Sequence, residues 1–140
     1  SITLGEVFLN PTRIYCDPVV DLIQDGPCDS SLIHGICHVT VGGLSNLLRL
    51  HDSLGWHIDS PLPILPEFNW IQQEGNVTDR EMHRTFNMGC GMIIAVDSSV
   101  ADEVCSWLAQ RMEGCAIIGQ VVDNGHKVTH SNPDVVFEHY

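Results

Sequence analysis

The sequence predicts an α/β (α+β) fold in which a mixed β-sheet is covered by helices. Three consecutive stretches carry this prediction: an apolar strand at 87–96, an amphipathic helix at 99–112 and a second apolar strand at 115–122. Strand and helix patterns interleave in this way along most of the chain, which is typical of helices packed on a sheet. With 140 residues, of which 44% are hydrophobic and 17% charged, the chain is long enough for one domain, residues 1–140, with its own core.

The stretch 35–50, GICHVTVGGLSNLLRL, is the centre of the predicted fold. Residues 36–41 are rich in β-branched side chains and predict a buried strand. Gly42 and Gly43 follow at once and predict a tight turn, and the apolar spacing from Leu44 onward indicates a helix. A strand, glycine turn and helix in this order can direct free N–H groups at an anion, but a glycine pair also lets a helix cross a sheet. Both interpretations, a ligand-binding turn and a structural turn, stay open from the residues alone.

Cap and turn residues predict the remaining elements. Asp17 as N-cap and Pro18 as first residue predict a helix to about residue 25, with four apolar side chains directed inward: Val19, Val20, Leu22 and Ile23. Further predicted elements are a strand at 55–59, a helix at 67–74, a helix that begins with a Thr78–Glu81 capping box, and a strand at 135–137.

The second half of the chain predicts a hairpin. Ser99 is the expected N-cap of the helix 99–112. The pair Asn124–Gly125 is a typical hairpin turn, so we expect residues 126–130 to pair with the strand 115–122.

Charge and cysteine content restrict the class of protein. A formal net charge of −12 with only six basic residues argues against binding to nucleic acid, which needs a basic surface. No apolar run approaches membrane-spanning length and no signal peptide is recognisable, so we expect a cytoplasmic protein without a membrane partner. The six cysteines, which form no C-x-x-C pair, are expected to be buried, reduced thiols.

Two groups of residues are candidates for chemistry at this stage. His34, Cys37 and His38 come nearest to a metal cluster, but in a strand Cys37 faces away from the two histidines, so we expect no metal site. Arg13, one of very few arginines, stands beside Thr12 and Tyr15. It is either a structural ion pair with one of 18 acids or a ligand for an oxyanion.

Three blocks of sequence resemble the C-terminal domain of the phosphoribosylformylglycinamidine cyclo-ligase family, also called aminoimidazole ribonucleotide synthetase. Residues 10–15, NPTRIY, are similar to L-T-P-T-R-I-Y, and residues 38–44, HVTVGGL, to H-I-T-G-G-G-L. The third and longest block joins 74–77, EGNV, to 81–92, EMHRTFNMGCGM. Residues 45–49 are similar to the short helix of archaeal members, and the resemblance extends from Gly5 to about Val122.

The resemblance implies one domain of a longer two-domain enzyme of purine biosynthesis. That enzyme closes the ring of formylglycinamidine ribonucleotide, with ATP phosphorylating the formyl oxygen before the amidine nitrogen attacks. ATP and Mg²⁺ would be bound mainly by an N-terminal domain, and the full-length enzyme would be a homodimer. This chain alone would supply one wall of the cleft and no complete active site.

On this resemblance, six residues are candidates for contact with the phosphorylated substrate: Arg13, His38, Thr40, Gly42, Gly43 and Asn87. The catalytic residues are not assigned. Two positions depart from the family pattern, because Val41 replaces the first glycine of a triple and His83 stands where tyrosine is usual. Two alternatives therefore remain: another ATP-dependent synthetase or kinase of the same superfamily, and a non-catalytic binding domain that kept the fold.

Overall fold

The computed structural model describes residues 2–140. In chain order, this part of the protein forms the following helices and strands: α1 (Leu4–Phe8), α2 (Cys16–Asp25), β1 (Ile33–His38), β2 (Gly55–Ile58), α3 (Pro66–Gly75), α4 (Asp79–Thr85), β3 (Met92–Val96), α5 (Ala101–Ala109), β4 (Gln120–Val122), β5 (Val128–His130) and β6 (Val136–Phe137). Short 3-10 helices occur at Ser30–Leu32, Gly43–Arg49 and Ser98–Val100.

The strands form two sheets. β1 pairs antiparallel with β3, with Cys37 opposite Ile93. The second sheet has the order β4-β2-β5-β6, in which β2 runs antiparallel to β4 and parallel to β5. The predicted mixed sheet with covering helices is confirmed.

The predicted hairpin across Asn124–Gly125 is wrong. β4 and β5 do flank this turn, but β2 lies between them and takes the hydrogen bonds of both. The turn still forms locally, because the Asn124 side chain accepts from the Lys127 N–H at 3.1 Å and donates to the Lys127 carbonyl at 3.2 Å. A side-chain turn of this kind does not require the flanking strands to be neighbours.

The core is built around the 3-10 helix Gly43–Arg49. Its residues 43–48 are all buried. Its leucines pack with buried side chains of the four-stranded sheet and the segments beside it, among them Trp56, Ile58, Val128, Val135 and Phe137. This helix is buried on all sides rather than on one face. It therefore forms the centre of the domain and does not act as an amphipathic helix that covers a sheet.

Several predicted boundaries in the first half are wrong. β1 covers residues 33–38 rather than 36–41, and the helix after the glycine pair is 3-10 rather than α. α2 begins at Cys16 with Tyr15 as an N-cap that makes no side-chain bond, so Asp17 does not cap it. Its side chains Val20 and Ile23 are 46% and 44% exposed, which leaves Leu22 as the one fully buried residue of α2.

In the second half the predicted strands and the helix shorten. Residues 87–91 form a turn instead of a strand, with Met88 and Gly89 at positive φ. Asp97 caps the 3-10 helix Ser98–Val100, where its carboxylate accepts from the Ser99 N–H at 2.9 Å, and Val100 rather than Ser99 is the N-cap of α5. Of the strand 115–122 only Gln120–Val122 forms. The predicted β2, α3 and α4 are confirmed, including the bond from the Glu81 N–H to the Thr78 hydroxyl. The reciprocal bond of the predicted capping box does not form within residues 2–140, because the Glu81 carboxylate accepts from Arg80 instead.

All six thiols are free, as predicted, but only Cys37 is buried and Cys16 is exposed. Burial raises the pKa of the Cys37 thiol, which Arg49 opposes, and raises the pKa of Cys90 to about 11. Both thiols therefore stay protonated at neutral pH.

Between residues 2 and 140, no helix is long and apolar enough to cross a membrane.

Candidate functional site

Residues 40–43, called the glycine loop below, form a tight turn at the end of β1. The Gly43 N–H donates to the Thr40 carbonyl at 2.8 Å, and Gly42 has φ 106° and ψ −17°. Positive φ at the third residue is the geometry of a type II turn, which favours glycine there. Val41 occupies the second position with its side chain 82% exposed.

Side chains of the 3-10 helix satisfy the carbonyls of the glycine loop. The Ser45 hydroxyl donates to the Gly42 carbonyl at 2.7 Å, and the buried Asn46 amide donates to the Gly43 carbonyl at 2.8 Å. The expected free N–H at Gly43 is wrong, since that donor already bonds Thr40 within the turn. The loop is thus held rigidly by its own polar groups.

Close packing against α4 requires the second glycine. A Cβ at Gly43 would lie 1.8 Å from the His83 carbonyl oxygen and 2.8 Å from that of Phe86. The structural interpretation of the glycine pair therefore holds at Gly43.

The side chains before the turn present an exposed face. Cys37 and Val39 are buried whereas His38 and Thr40 are exposed, as expected when residues alternate along an extended segment. The His38 ring lies 5.8 Å from the Tyr15 ring, edge to face. His38 and Thr40, two of the six predicted residues, therefore share one open surface.

Arg13 does not form the structural ion pair that was one of its two predicted roles. Its Nη1 donates to the backbone carbonyl of Glu113, and within residues 2–140 it forms no ion pair. No hydrogen bond joins it to the glycine loop. Its charge still reaches the exposed face. Burial raises the pKa of Tyr15, whose ring contacts His38, and the positive charge of Arg13 opposes this rise.

A second candidate lies beneath the 3-10 helix: a cavity of about 180 Å³, called the histidine cavity below. Its walls are largely apolar and come from the 3-10 helix, the proline-rich loop and the sheet: Leu44, Ile58, Pro61, Leu62, Ile64, Met88, Cys90 and Ile118. Its polar groups come from α4, the turn after it and β5: Asp79, His83, Asn87, His130 and Asn132.

Backbone groups fix the tautomers of the two cavity histidines. His83, 6% exposed, has Nδ1 2.8 Å from the Asp79 carbonyl oxygen, which can only accept, so Nδ1 carries a proton. His130 has Nδ1 2.9 Å from the Asn132 N–H, which can only donate, so the proton of neutral His130 is on Nε2. The rings are 5.0 Å apart, and neither Nε2 has a hydrogen-bond partner in residues 2–140.

Most of the remaining polar groups of the cavity are already paired, but within residues 2–140 the Asn87 amide nitrogen has no partner. Asp79 accepts from the Gln72 and Asn132 side chains, and these two bonds lower the pKa of its carboxyl group. Asn87 accepts from the Gly89 N–H at 3.0 Å. Burial lowers the pKa of His130, with smaller effects in the same direction from His83 and His57, while Asp79 opposes them.

The predicted site residues therefore divide between two places. His38, Thr40 and Gly42 lie on or beside the exposed face, Asn87 lines the histidine cavity, and Gly43 is packed between them. Sequence reasoning missed four cavity residues: Asp79, His83, His130 and Asn132. The one signal in the sequence is His83 itself, which stands where the family pattern has tyrosine.

The profile of one protein family, described as AIR synthase related protein, C-terminal domain, matches residues 1–131. This chain belongs to that family. Curated relatives named phosphoribosylformylglycinamidine cyclo-ligase align with it over most of its length. The relative from Methanocaldococcus jannaschii is 40% identical over 130 residues, which is 90% of this chain and 36% of the relative.

Two bacterial relatives of the same name show similar values. The protein of Nitrosococcus oceani is 42% identical over 123 residues, 86% of this chain and 33% of its own length. That of Limosilactobacillus fermentum is 41% identical over 124 residues, 86% of this chain and 34% of its own. This AIR synthase related C-terminal domain thus spans about a third of the length of the curated relatives it matches.

Val41 stands where the family pattern has glycine, and the structure shows whether a side chain fits at this position. The residue is not among those at positive φ, and its side chain extends into solvent beside the turn. This AIR synthase related domain therefore accommodates valine without distorting the glycine loop.

Proposed function

We propose that this chain is the C-terminal domain of a two-domain, ATP-dependent phosphoribosylformylglycinamidine cyclo-ligase. The observation that carries the proposal is the 38–42% identity, over 86–91% of this chain, to relatives that bear this name. The reaction would convert formylglycinamidine ribonucleotide to aminoimidazole ribonucleotide in purine biosynthesis. We further propose a cytoplasmic homodimer.

The exposed face beside the glycine loop is the proposed substrate wall. His38 and Thr40 offer ring-nitrogen and hydroxyl groups to solvent, and the turn that follows is held in one geometry by Ser45 and Asn46. A rigid wall favours catalysis because its polar groups need not reorganise when charge develops on the substrate. Arg13 would add a cation at the far side of Tyr15, with only Nη1 engaged by Glu113.

ATP, the proposed second substrate, would phosphorylate the formyl oxygen and leave as ADP. Residues 2–140 do not fit a magnesium–phosphate site of their own. They contain no group of three or more His, Cys, Asp or Glu that could hold a metal ion, and the Gly43 N–H is occupied. We propose that an N-terminal domain binds ATP and Mg²⁺, and that this chain alone is inactive.

The test uses the full-length protein that contains this chain. It is incubated with formylglycinamidine ribonucleotide, ATP and Mg²⁺, and aminoimidazole ribonucleotide and ADP are measured together. The proposal predicts equal amounts of the two products, and no ADP above background when the ribonucleotide is omitted.

Two results would contradict the proposal. Release of ADP that depends on a different acceptor would indicate another member of the superfamily. A folded full-length protein that forms neither product would indicate a non-catalytic domain.

A further inference from the structure

The histidine cavity combines two free ring nitrogens of opposite hydrogen-bonding character. In the neutral tautomers fixed by the backbone, His83 Nε2 is an acceptor and the His130 Nε2–H is a donor. Both residues line the cavity and their rings are 5.0 Å apart, yet they do not bond each other. Within residues 2–140 the buried side-chain nitrogen without a partner is Trp56 Nε1, so both histidine Nε2 atoms are reached by solvent and are available to a ligand that enters the cavity.

The charge around the cavity selects against anions. Asp79 is the one carboxylate of the lining, its lowered pKa keeps it ionised, and neither lysine nor arginine lines the walls. Arg80, the next residue along α4, is held elsewhere by the Val136 carbonyl and the Phe137 ring. An anionic ligand would face a carboxylate without a compensating cation.

Asp79 does not itself recognise a ligand donor. Its two carboxylate oxygens accept from the Gln72 and Asn132 side chains. The side-chain amide oxygen of Asn132 accepts from the Asp134 N–H at 3.0 Å. The free polar groups at this end of the cavity are thus neutral.

Size and surface restrict the ligand further. The cavity volume is about 180 Å³. Pockets that enclose drug-sized ligands usually measure about 300–1,000 Å³, so this cavity can enclose a small ring but not a whole nucleotide. Apolar walls such as Leu44, Ile58 and Met88 suit the faces of a small ring.

We propose that the histidine cavity binds a small, neutral, planar nitrogen heterocycle whose edge places an N–H donor beside a ring-nitrogen acceptor. His83 Nε2 accepts from the N–H group, and the His130 Nε2–H donates to the ring nitrogen. Aminopyrimidine-like rings have this edge. The site does not depend on the cyclo-ligase activity proposed above.

The test measures binding of 2-aminopyrimidine to the intact protein that contains this chain, by calorimetry at pH 7.5. Pyrimidine, which lacks the amino donor, is the matched ligand. We expect 2-aminopyrimidine to bind at least fivefold more tightly than pyrimidine, because pyrimidine lacks the amino N–H that pairs the His83 Nε2 acceptor.

His83→Phe is the decisive variant, since it keeps a ring and removes the acceptor. It should weaken 2-aminopyrimidine binding at least tenfold and abolish the preference over pyrimidine. The control is His126→Asn, because His126 also bonds a backbone carbonyl, that of Leu48 at 3.0 Å, but does not line the cavity. This control should bind both ligands within twofold of the wild type.

A measurement on the wild type covers the case in which His83→Phe does not fold. Nitrogen-15 spectra of the imidazoles should assign the Nδ1–H tautomer to His83 and the Nε2–H tautomer to His130, and 2-aminopyrimidine should shift both Nε2 signals. Absence of binding, shifts confined to other histidines, or tighter binding of inorganic phosphate than of 2-aminopyrimidine at these two residues would each overturn the proposal. None of these outcomes bears on whether the full-length protein forms aminoimidazole ribonucleotide.

Discussion

The glycine loop and the histidine cavity use their polar groups in opposite ways. In the loop, the N–H of Gly43 and the carbonyls of Thr40, Gly42 and Gly43 all have partners within a few residues along the chain. In the cavity, His83 and His130 each have one nitrogen fixed by the backbone and the other free. The conspicuous glycine motif thus forms a rigid support whose polar groups are paired. The two histidines, which are far apart in the sequence, keep a free ring nitrogen each.

The largest expected effect tests the rigidity of the loop. Gly43→Ala places a Cβ against the His83 and Phe86 carbonyls at a φ of 52°. Backbone strain and overpacking together should cost about 4 kcal/mol of unfolding free energy, measured by denaturant titration. Gly125→Ala is the control, because its φ is 77° but no atom lies within 4 Å, so only the strain of about 1 kcal/mol applies. Equal losses in the two variants would show that Gly43 is not packed as described.

A second prediction tests the support of the exposed face. A Cβ at Gly91 would lie 2.1 Å from the Tyr15 hydroxyl oxygen, so Gly91→Ala must displace the ring that contacts His38. Overpacking of this kind should cost about 2 kcal/mol. Tyr15→Phe removes the nearest clashing atom, and the double variant should therefore be more stable than Gly91→Ala alone. A double-mutant cycle measures this coupling, and strict additivity would mean that the two residues do not touch.

The third prediction separates support from substrate contact. In the full-length enzyme, Thr40→Ala and Arg13→Ala should each lower kcat/KM about tenfold, or about 1.4 kcal/mol, with little change in unfolding free energy. Val41→Gly is the matched control in the same turn, since its exposed side chain makes no contact that the loop needs. It should leave turnover unchanged or raise it. Wild-type kinetics in both folded alanine variants would leave the loop with a structural role only.

The smallest effect concerns acid stability and tests the cavity. Burial, His83 and His57 lower the pKa of His130 below its usual 6.5, while Asp79 opposes them. Between the folded pKa and 6.5 the unfolded chain binds more protons, so stability rises with pH across this window and falls as pH drops below 6.5. His130→Phe should flatten the pH dependence of the unfolding free energy there. An unaltered slope in His130→Phe would contradict the assignment.

The parts of the fold that local signals determine were predictable. Thr78 caps α4, the proline-rich loop precedes α3, and the alternation at Gly55–Ile58 marks β2. The apolar spacing from Leu44 onward predicted an α-helix, but Gly43–Arg49 is a 3-10 helix. Its buried Ser45 and Asn46 bond the carbonyls of the glycine loop, which the apolar spacing does not indicate.

The histidine cavity was not predictable, because α4 and β5 meet only through tertiary packing. His83 follows a capping box and His130 ends a short strand, and neither sequence context indicates chemistry. Sequence spacing could place His38 and Thr40 on one face, since both lie on one extended segment, but it could not join residues of separate elements. The exposed face was therefore predicted in part, and the cavity only through Asn87.

The position of β2 between β4 and β5 has a consequence for the order of folding. β2 gains its two neighbours only when segments from the far end of the chain arrive, so the sheet cannot grow by adding one hairpin to the next. Closing such a long loop costs entropy before its contacts compensate, and this makes folding slow relative to a protein with local pairing. During synthesis, β2 emerges long before either partner, so its Trp56 and Ile58 side chains can pack only against the preceding 3-10 helix until β4 and β5 have left the ribosome.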